Sequence, residues 1–130
     1  MLLGRLKSQL ANDHAGAMHR LQTIVEELVD FAFQHPQFFE LLKSMGIPKG
    51  NPEWDAQRDS MFNLIEQTIR SGVESGELQD AHPYLTARFI PGLVRSAMLF
   101  AQTDREPTVL KQQISSLLER GLLSGLPAQV

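Results

Sequence analysis

Cysteine is absent from this 130-residue chain, so neither a disulfide nor a thiolate metal site can form. Long apolar runs are missing too, and nothing approaches the ~18 residues of a membrane span. A basic excess is also lacking. Twelve Lys and Arg stand against fifteen Asp and Glu, a formal net charge of −3, and no basic stripe suited to a phosphate backbone is visible. There is no phosphate-cradling glycine loop and no serine in a glycine-flanked nucleophile elbow. The opening Met1-Leu2-Leu3-Gly4-Arg5 is too short and too quickly charged for a secretion signal. These absences argue against direct nucleic-acid binding, membrane insertion and secretion. The expected location is the cytosol.

What remains is ordinary globular material. A hydrophobic share of 42% and a charged share of 21% suit a packed domain rather than a disordered one. A chain of this length makes one domain and buries roughly two thirds of its unfolded surface. No stretch alternates with a two-residue period, so no strand is expected. The expected fold class is all-α, a single bundle of about five to six helices.

Residues 2–9 predict a short helix with Leu3, Leu6 and Leu10 on one side. Residues 14–34 predict another, whose Met18, Leu21, Val25, Leu28, Val29 and Ala32 recur at three- and four-residue steps. The two segments read equally as one helix or as two, with Asn12-Asp13 a possible cap and Gly16 weakening the junction. Pro36 ends the segment by pushing His35 out of the helical region. Pro36–Met45 then carries Phe38, Phe39, Leu41 and Leu42, and Gly46-Ile47-Pro48-Lys49-Gly50-Asn51 is the clearest loop. Asn51-Pro52 is a cap followed by an N1 proline. It opens Pro52–Ser75, with Trp54, Met61, Phe62, Ile65, Ile69 and Val73 on its apolar side. Glu66 and Arg70 make a four-residue ion pair on the wet side.

The closing helices carry most information. Asp80 sits where a cap belongs, Pro83 falls in the first turn, and the helix runs to Phe100. Pro91 lies inside it, removes the bond to the Ala87 carbonyl and should bend the axis. Two apolar faces result. Leu85, Phe89, Gly92, Leu93, Ser96 and Phe100 form one; Tyr84, Ala87, Ile90, Val94, Ala97 and Ala101 form the other. Gly92 and Ser96, one turn apart, admit a close backbone approach and assign the first face to a partner. Glycine after proline relieving crowding within one subunit is the plain alternative. A last helix over 107–121 lines up Leu110, Ile114, Leu117, Leu118 and Gly121, and Val109, Leu122 and Leu123 widen the stripe. Such breadth points to an association surface.

Catalytic chemistry finds little support. His14 and His19 are five apart and point about 140° away from each other, and no Glu-x-x-His bundle motif accompanies them. No metal or other cofactor is expected. Glu26, Glu27 and Asp30 cluster on one helix and read as a solvated acidic face rather than an acid/base pair. An enzyme is not expected. Phe31, Phe38, Phe39, Trp54, Met61, Phe62, Phe89 and Met98 come from four helices and converge on one interior, as core or as the wall of a pocket.

The run Glu66-Gln67-Thr68-Ile69-Arg70-Ser71-Gly72-Val73-Glu74-Ser75-Gly76-Glu77-Leu78, then an Asp-x-x-Pro start at Asp80, then Gly92-Leu93-Val94-Arg95-Ser96-Ala97-Met98-Leu99-Phe100, resembles the C-terminal domain of tetracycline-repressor-like (TetR) regulators. Leu117-Leu118-Glu119-Arg120-Gly121-Leu122 is similar to the end of that family's last helix, and residues 31–39 to its mid-domain break. The similarity spans residues 21–122. The helix-turn-helix headpiece with which these regulators begin has no counterpart here.

The resemblance implies a two-fold homodimer, a four-helix bundle made from residues 80–100 and 107–123 of each subunit. It implies a cavity for a small apolar or amphipathic inducer, with Phe31, Phe38, Trp54, Arg58, Met61, Phe62, Ile65 and Phe89 as candidate walls. Gln67, Arg58 and Arg88 are the candidate polar groups to orient that molecule. The expected interface is Leu85, Phe89, Gly92, Leu93, Ser96, Phe100, Leu110, Ile114, Leu117, Leu118 and Gly121. DNA would be reached only through a headpiece, and the membrane not at all. A free-standing helical interaction protein that senses nothing is the competing expectation.

Overall fold

A computed structural model describes residues 2–11, 16–45 and 50–123 as six helices. They are α1 (Leu2–Ala11), α2 (Ala17–Gln34), α3 (Pro36–Met45), α4 (Pro52–Ser75), α5 (Pro83–Phe100) and α6 (Pro107–Leu122). The architecture is an all-α bundle. Among the described residues the only non-helical pairing is an isolated antiparallel bridge between Leu78 and Leu123, beside a 2.7 Å bond from Gln79 N–H to the Leu122 carbonyl. Among the described residues no helix is long and apolar enough to cross a membrane.

α2 is the axle. It touches each of the other five helices, and α6 lies along it most extensively. Its buried residues Ala17, Met18, Leu21, Ile24, Val25, Leu28, Val29 and Ala32 cover more than one stripe, as a helix enclosed on several sides requires. α1 and α2 are separate helices, with Gly16 extended ahead of Ala17. The Asn12-Asp13 cap and His14 lie outside the described residues.

The N-terminus of α2 is capped from a distance. Gly16 occupies the N-cap position and offers no side chain. Instead the Glu77 carboxylate accepts from the Ala17 N–H at 2.8 Å and the Met18 N–H at 3.1 Å. Two of the four orphan donors of a helix start are thus satisfied by a residue sixty positions away.

Local rules set the other breaks. His35, ahead of Pro36, leaves the helical region at φ −129°, and its N–H closes α2 on the Phe31 carbonyl. The Asn51 side chain accepts from the Glu53 and Trp54 N–H groups, with Pro52 at N1. Gly76 ends α4 in the left-handed region, φ 85°. The chain then folds back so that Leu78, 2% exposed, fills the space over Gly72. An added Cβ at Gly72 would stand 2.5 Å from the Leu78 Cδ1 and 2.7 Å from the Ala17 Cβ. Glycine is required there by the close approach of α4 to α2. Residues 46–49 of the expected loop, and the Leu42 side chain, lie outside the description.

Three expectations need correction. Asp80 does not cap α5: His82 holds the N-cap position, and Asp80 Oδ1 accepts the His82 N–H at 2.9 Å in the preceding turn. The buried stripe of α4 is Ile65, Thr68, Ile69 and Gly72, while Val73 is exposed. Thr68 tolerates burial because its hydroxyl donates to the Leu64 carbonyl at 2.8 Å.

The acidic face of α2 is the third. Only Glu26 is exposed as expected. Glu27 is buried, receiving the Gln9 Nε2–H at 2.8 Å and lying 3.2 Å from the Arg5 guanidinium, so it fastens α1. Asp30 pairs with Lys111 of α6 at 2.7 Å. The Glu66–Arg70 pair forms at 2.8 Å, though Glu66 is largely covered and also faces Arg88 at 3.8 Å.

Candidate functional site

Five helices leave a gap between them. Pro36 ends α2 and starts α3 within a few residues, which brings Phe31 near Phe38 and Phe39. The Asn51 cap fixes the first turn of α4, presenting Trp54 and, one turn on, Arg58 to the same space. α5 contributes Pro91, Val94 and Arg95, α2 adds Leu28, and α1 closes the side with Leu2. This half-open space measures about 190 Å³. A second lobe of about 300 Å³ shares Leu2, Phe31, Phe38, Trp54 and Arg58, and adds Leu3, Gln57 and Met61.

The walls are aromatic and aliphatic. Phe38 and Trp54 are stacked, with centroids 5.0 Å apart and planes 9° from parallel, and Phe38 meets Phe39 edge-on at 5.3 Å. Trp54 stays 42% exposed, so the cavity opens beside it. Among the described residues, the charged groups on the lining are two arginines. Arg58 leans on Asp55 at 3.0 Å and on Asp59 at 4.0 Å. Arg95 has no ion-pair or hydrogen-bond partner among the described residues.

Of the expected wall residues, Phe31, Phe38, Trp54, Arg58 and Met61 meet around this space. Three do not. Ile65 is fully buried in the core beneath α4. Phe62 lies under the Arg88 guanidinium, 4.8 Å from its ring centroid. Phe89 points away from the cavity and is 61% exposed, because Pro91 and Val94 are the α5 residues that face inward. Arg88 is not a pocket group either. It rests 3.4 Å over Tyr84 and donates to the Tyr84 carbonyl. Gln67 is exposed, away from the lining. Leu2, Leu3, Leu28, Gln57, Pro91, Val94 and Arg95 were not anticipated as lining. A signal existed for one: Arg95 sits one turn beyond Pro91 on the same helix face.

The opposite side of α5 is bare. Leu85, Phe89, Leu93, Ser96 and Phe100 are exposed and Gly92 half-buried, whereas Ala87, Ile90, Val94 and Met98 are buried inward. Tyr84, expected on the inner face, is exposed, its ring lying against Arg88. A Cβ added at Gly92 would meet only the Arg95 side chain, at 3.7 Å, so no neighbouring helix of this chain requires glycine there. On α6, Leu117 and Gly121 are exposed. Leu110, Ile114 and Leu118 are corrected: they turn into the chain's own core, packed with α2, and are unavailable to a partner in this fold. His19 and the other described acidic and histidine residues form no metal-holding group of three or more.

Residues 49–126 match the family model described as "Tetracyclin repressor-like, C-terminal domain". That span covers more than half of the chain and takes in α4, α5 and α6. α1, α2 and α3, which supply Leu2, Phe31 and Phe38, lie outside it. No curated protein and no solved structure gives a significant match.

Proposed function

The chain belongs to the tetracycline repressor-like C-terminal domain family, and from that premise we propose that it is the effector-sensing and homodimerising part of a transcriptional regulator. The observation that carries this is the double character of α5. One face walls an apolar cavity through Pro91 and Val94, while the other exposes Leu85, Phe89, Leu93 and Phe100. A contiguous bare apolar ridge marks an association surface, and an aromatic-lined cavity of a few hundred Å³ marks a small-molecule site.

α1 links the two roles. Its middle and C-terminal end are fixed to α2 through Gln9 and Arg5 on Glu27 and by the Arg20 bond to the Leu10 carbonyl at 3.2 Å. Its N-terminal end, at Leu2 and Leu3, rests on the cavity. A molecule filling the cavity would press on the end of α1 that lies over it, while the other end is held. In the parent regulator this would alter the spacing of two DNA readers across the dimer and lower operator affinity. The ligand acts only in so far as it favours one α1 position over another.

Two measurements on the 130-residue chain test the reading. Sedimentation should give a dimer, and apolar compounds should produce a saturable change in emission from Trp54, the sole tryptophan. A dimer indifferent to every compound would favour a plain helical interaction protein. A monomer would remove the homodimerising half.

A further inference from the structure

We infer that the cavity takes a flat apolar monocarboxylate, with Arg95 receiving the carboxylate and the rings of Phe31, Phe38 and Trp54 holding the body. This rests on the small-molecule reading of the cavity and gives its occupant a charge and a shape. Among the described residues, the two lobes taken together are lined by two guanidinium groups and no Asp or Glu. A cationic guest would therefore meet like charge at the wall, whereas an anion gains a charged partner in Arg95 that a neutral guest forgoes.

The two arginines differ in commitment. Arg58 directs Nη2 at Asp55 and Nε toward Asp59, so its charge is already largely balanced. Arg95 is exposed at the edge of the narrower lobe, and among the described residues nothing accepts its donors. A guanidinium presents N–H groups in a planar fork that matches a carboxylate with two parallel bonds. Low-dielectric walls on one side concentrate its field toward the cavity.

Shape follows from the walls. Rings enter from α2, α3 and α4, and the stacked Phe38–Trp54 pair offers flat faces and edges that suit another ring in offset or edge contact. Lobes of about 190 and 300 Å³ fit a compact body rather than a long chain.

The test uses 2-naphthoate against 2-naphthamide and cinnamate against cinnamamide, titrated calorimetrically into the 130-residue chain. Each carboxylate should bind about threefold or more tighter than its amide, the difference an ion pair at a partly exposed edge supplies. Arg95→Gln should collapse that ratio to near one, and Arg95→Lys should keep part of it. Because Arg95 is exposed, the far-ultraviolet helix signal of both variants should match the parent. Equal binding of acid and amide, or a ratio that survives Arg95→Gln, would overturn the carboxylate assignment while the cavity stands. No heat at either of two temperatures and no change in Trp54 emission, with any of the four probes at millimolar concentration, would remove the cavity reading and this inference together.

Discussion

The Glu77 carboxylate holds the first turn of α2, 2.8 Å from the Ala17 N–H, across sixty residues of sequence. A Cβ added at Gly16 would lie 2.6 Å from Glu77 Oε1, so the glycine leaves room for the cap. Glu77→Ala should cost about 1–2 kcal/mol, the usual range for a lost N-cap. Gly16→Ala should cost a similar amount in the parent, by displacing the carboxylate, and little once Glu77 is gone. A double-mutant cycle by urea unfolding reads the coupling directly. Additive losses would mean that the carboxylate does not sense the Gly16 position.

Gly72 presents a harder constraint. Its two close neighbours are Leu78, buried over it, and the Ala17 Cβ on α2. Gly72→Ala should destabilise by about 1–3 kcal/mol through overpacking, despite the better helix propensity of alanine. Ala17→Gly should recover part of the loss by withdrawing the fixed obstacle. Thermal unfolding of the two single variants and the double variant decides the matter, and a stabilised Gly72→Ala would show that the α2–α4 contact relaxes without strain.

The sequence made legible those features that short-range rules govern. His35-Pro36, Asn51-Pro52 and Gly76 each fix a helix end by backbone chemistry within two or three residues, and each stands where its residues indicate. The cap on α2 was hidden because its donor and acceptor elements are distant in the chain. Glu27 was hidden for another reason: a charge on a helix reads as wet unless its partners Gln9 and Arg5 are known to be adjacent. At the cavity, Phe31, Phe38 and Trp54 were legible as rings beside helix breaks. Phe89 was not separable from them by residue type, since α5 is apolar on two sides and one chain's core covers only one.

Glu27 fastens α1 in combination with the buried Leu6 and Leu10. Glu27→Ala should therefore loosen α1 without unfolding the bundle. The expected loss is about 1–3 kcal/mol, as Gln9 loses its acceptor and Arg5 its counter-ion. Amide hydrogen exchange should rise across residues 2–11 while the centre of α2 remains protected, and Trp54 emission should shift as Leu2 leaves its cavity. Uniformly faster exchange in all six helices would mean that Glu27 supports the whole core instead.

Association and folding are separable because exposed and buried apolar positions stand side by side, most clearly on α6. Leu117 is 48% exposed and Leu118 only 6%. Leu117→Glu and Phe89→Glu should weaken self-association at least about tenfold while preserving the helical signal, since each places a charge in a dehydrated contact. Leu118→Glu should instead unfold the chain, since it buries an unpaired charge against α2. Gly92→Leu with Ser96→Leu is the stricter test. It makes the ridge more apolar yet fills the space where a second helix backbone would approach. Sedimentation should find this double variant monomeric if close helix contact drives pairing. If it remains a dimer, apolar area alone holds the copies together and the small residues at 92 and 96 have no part in the contact.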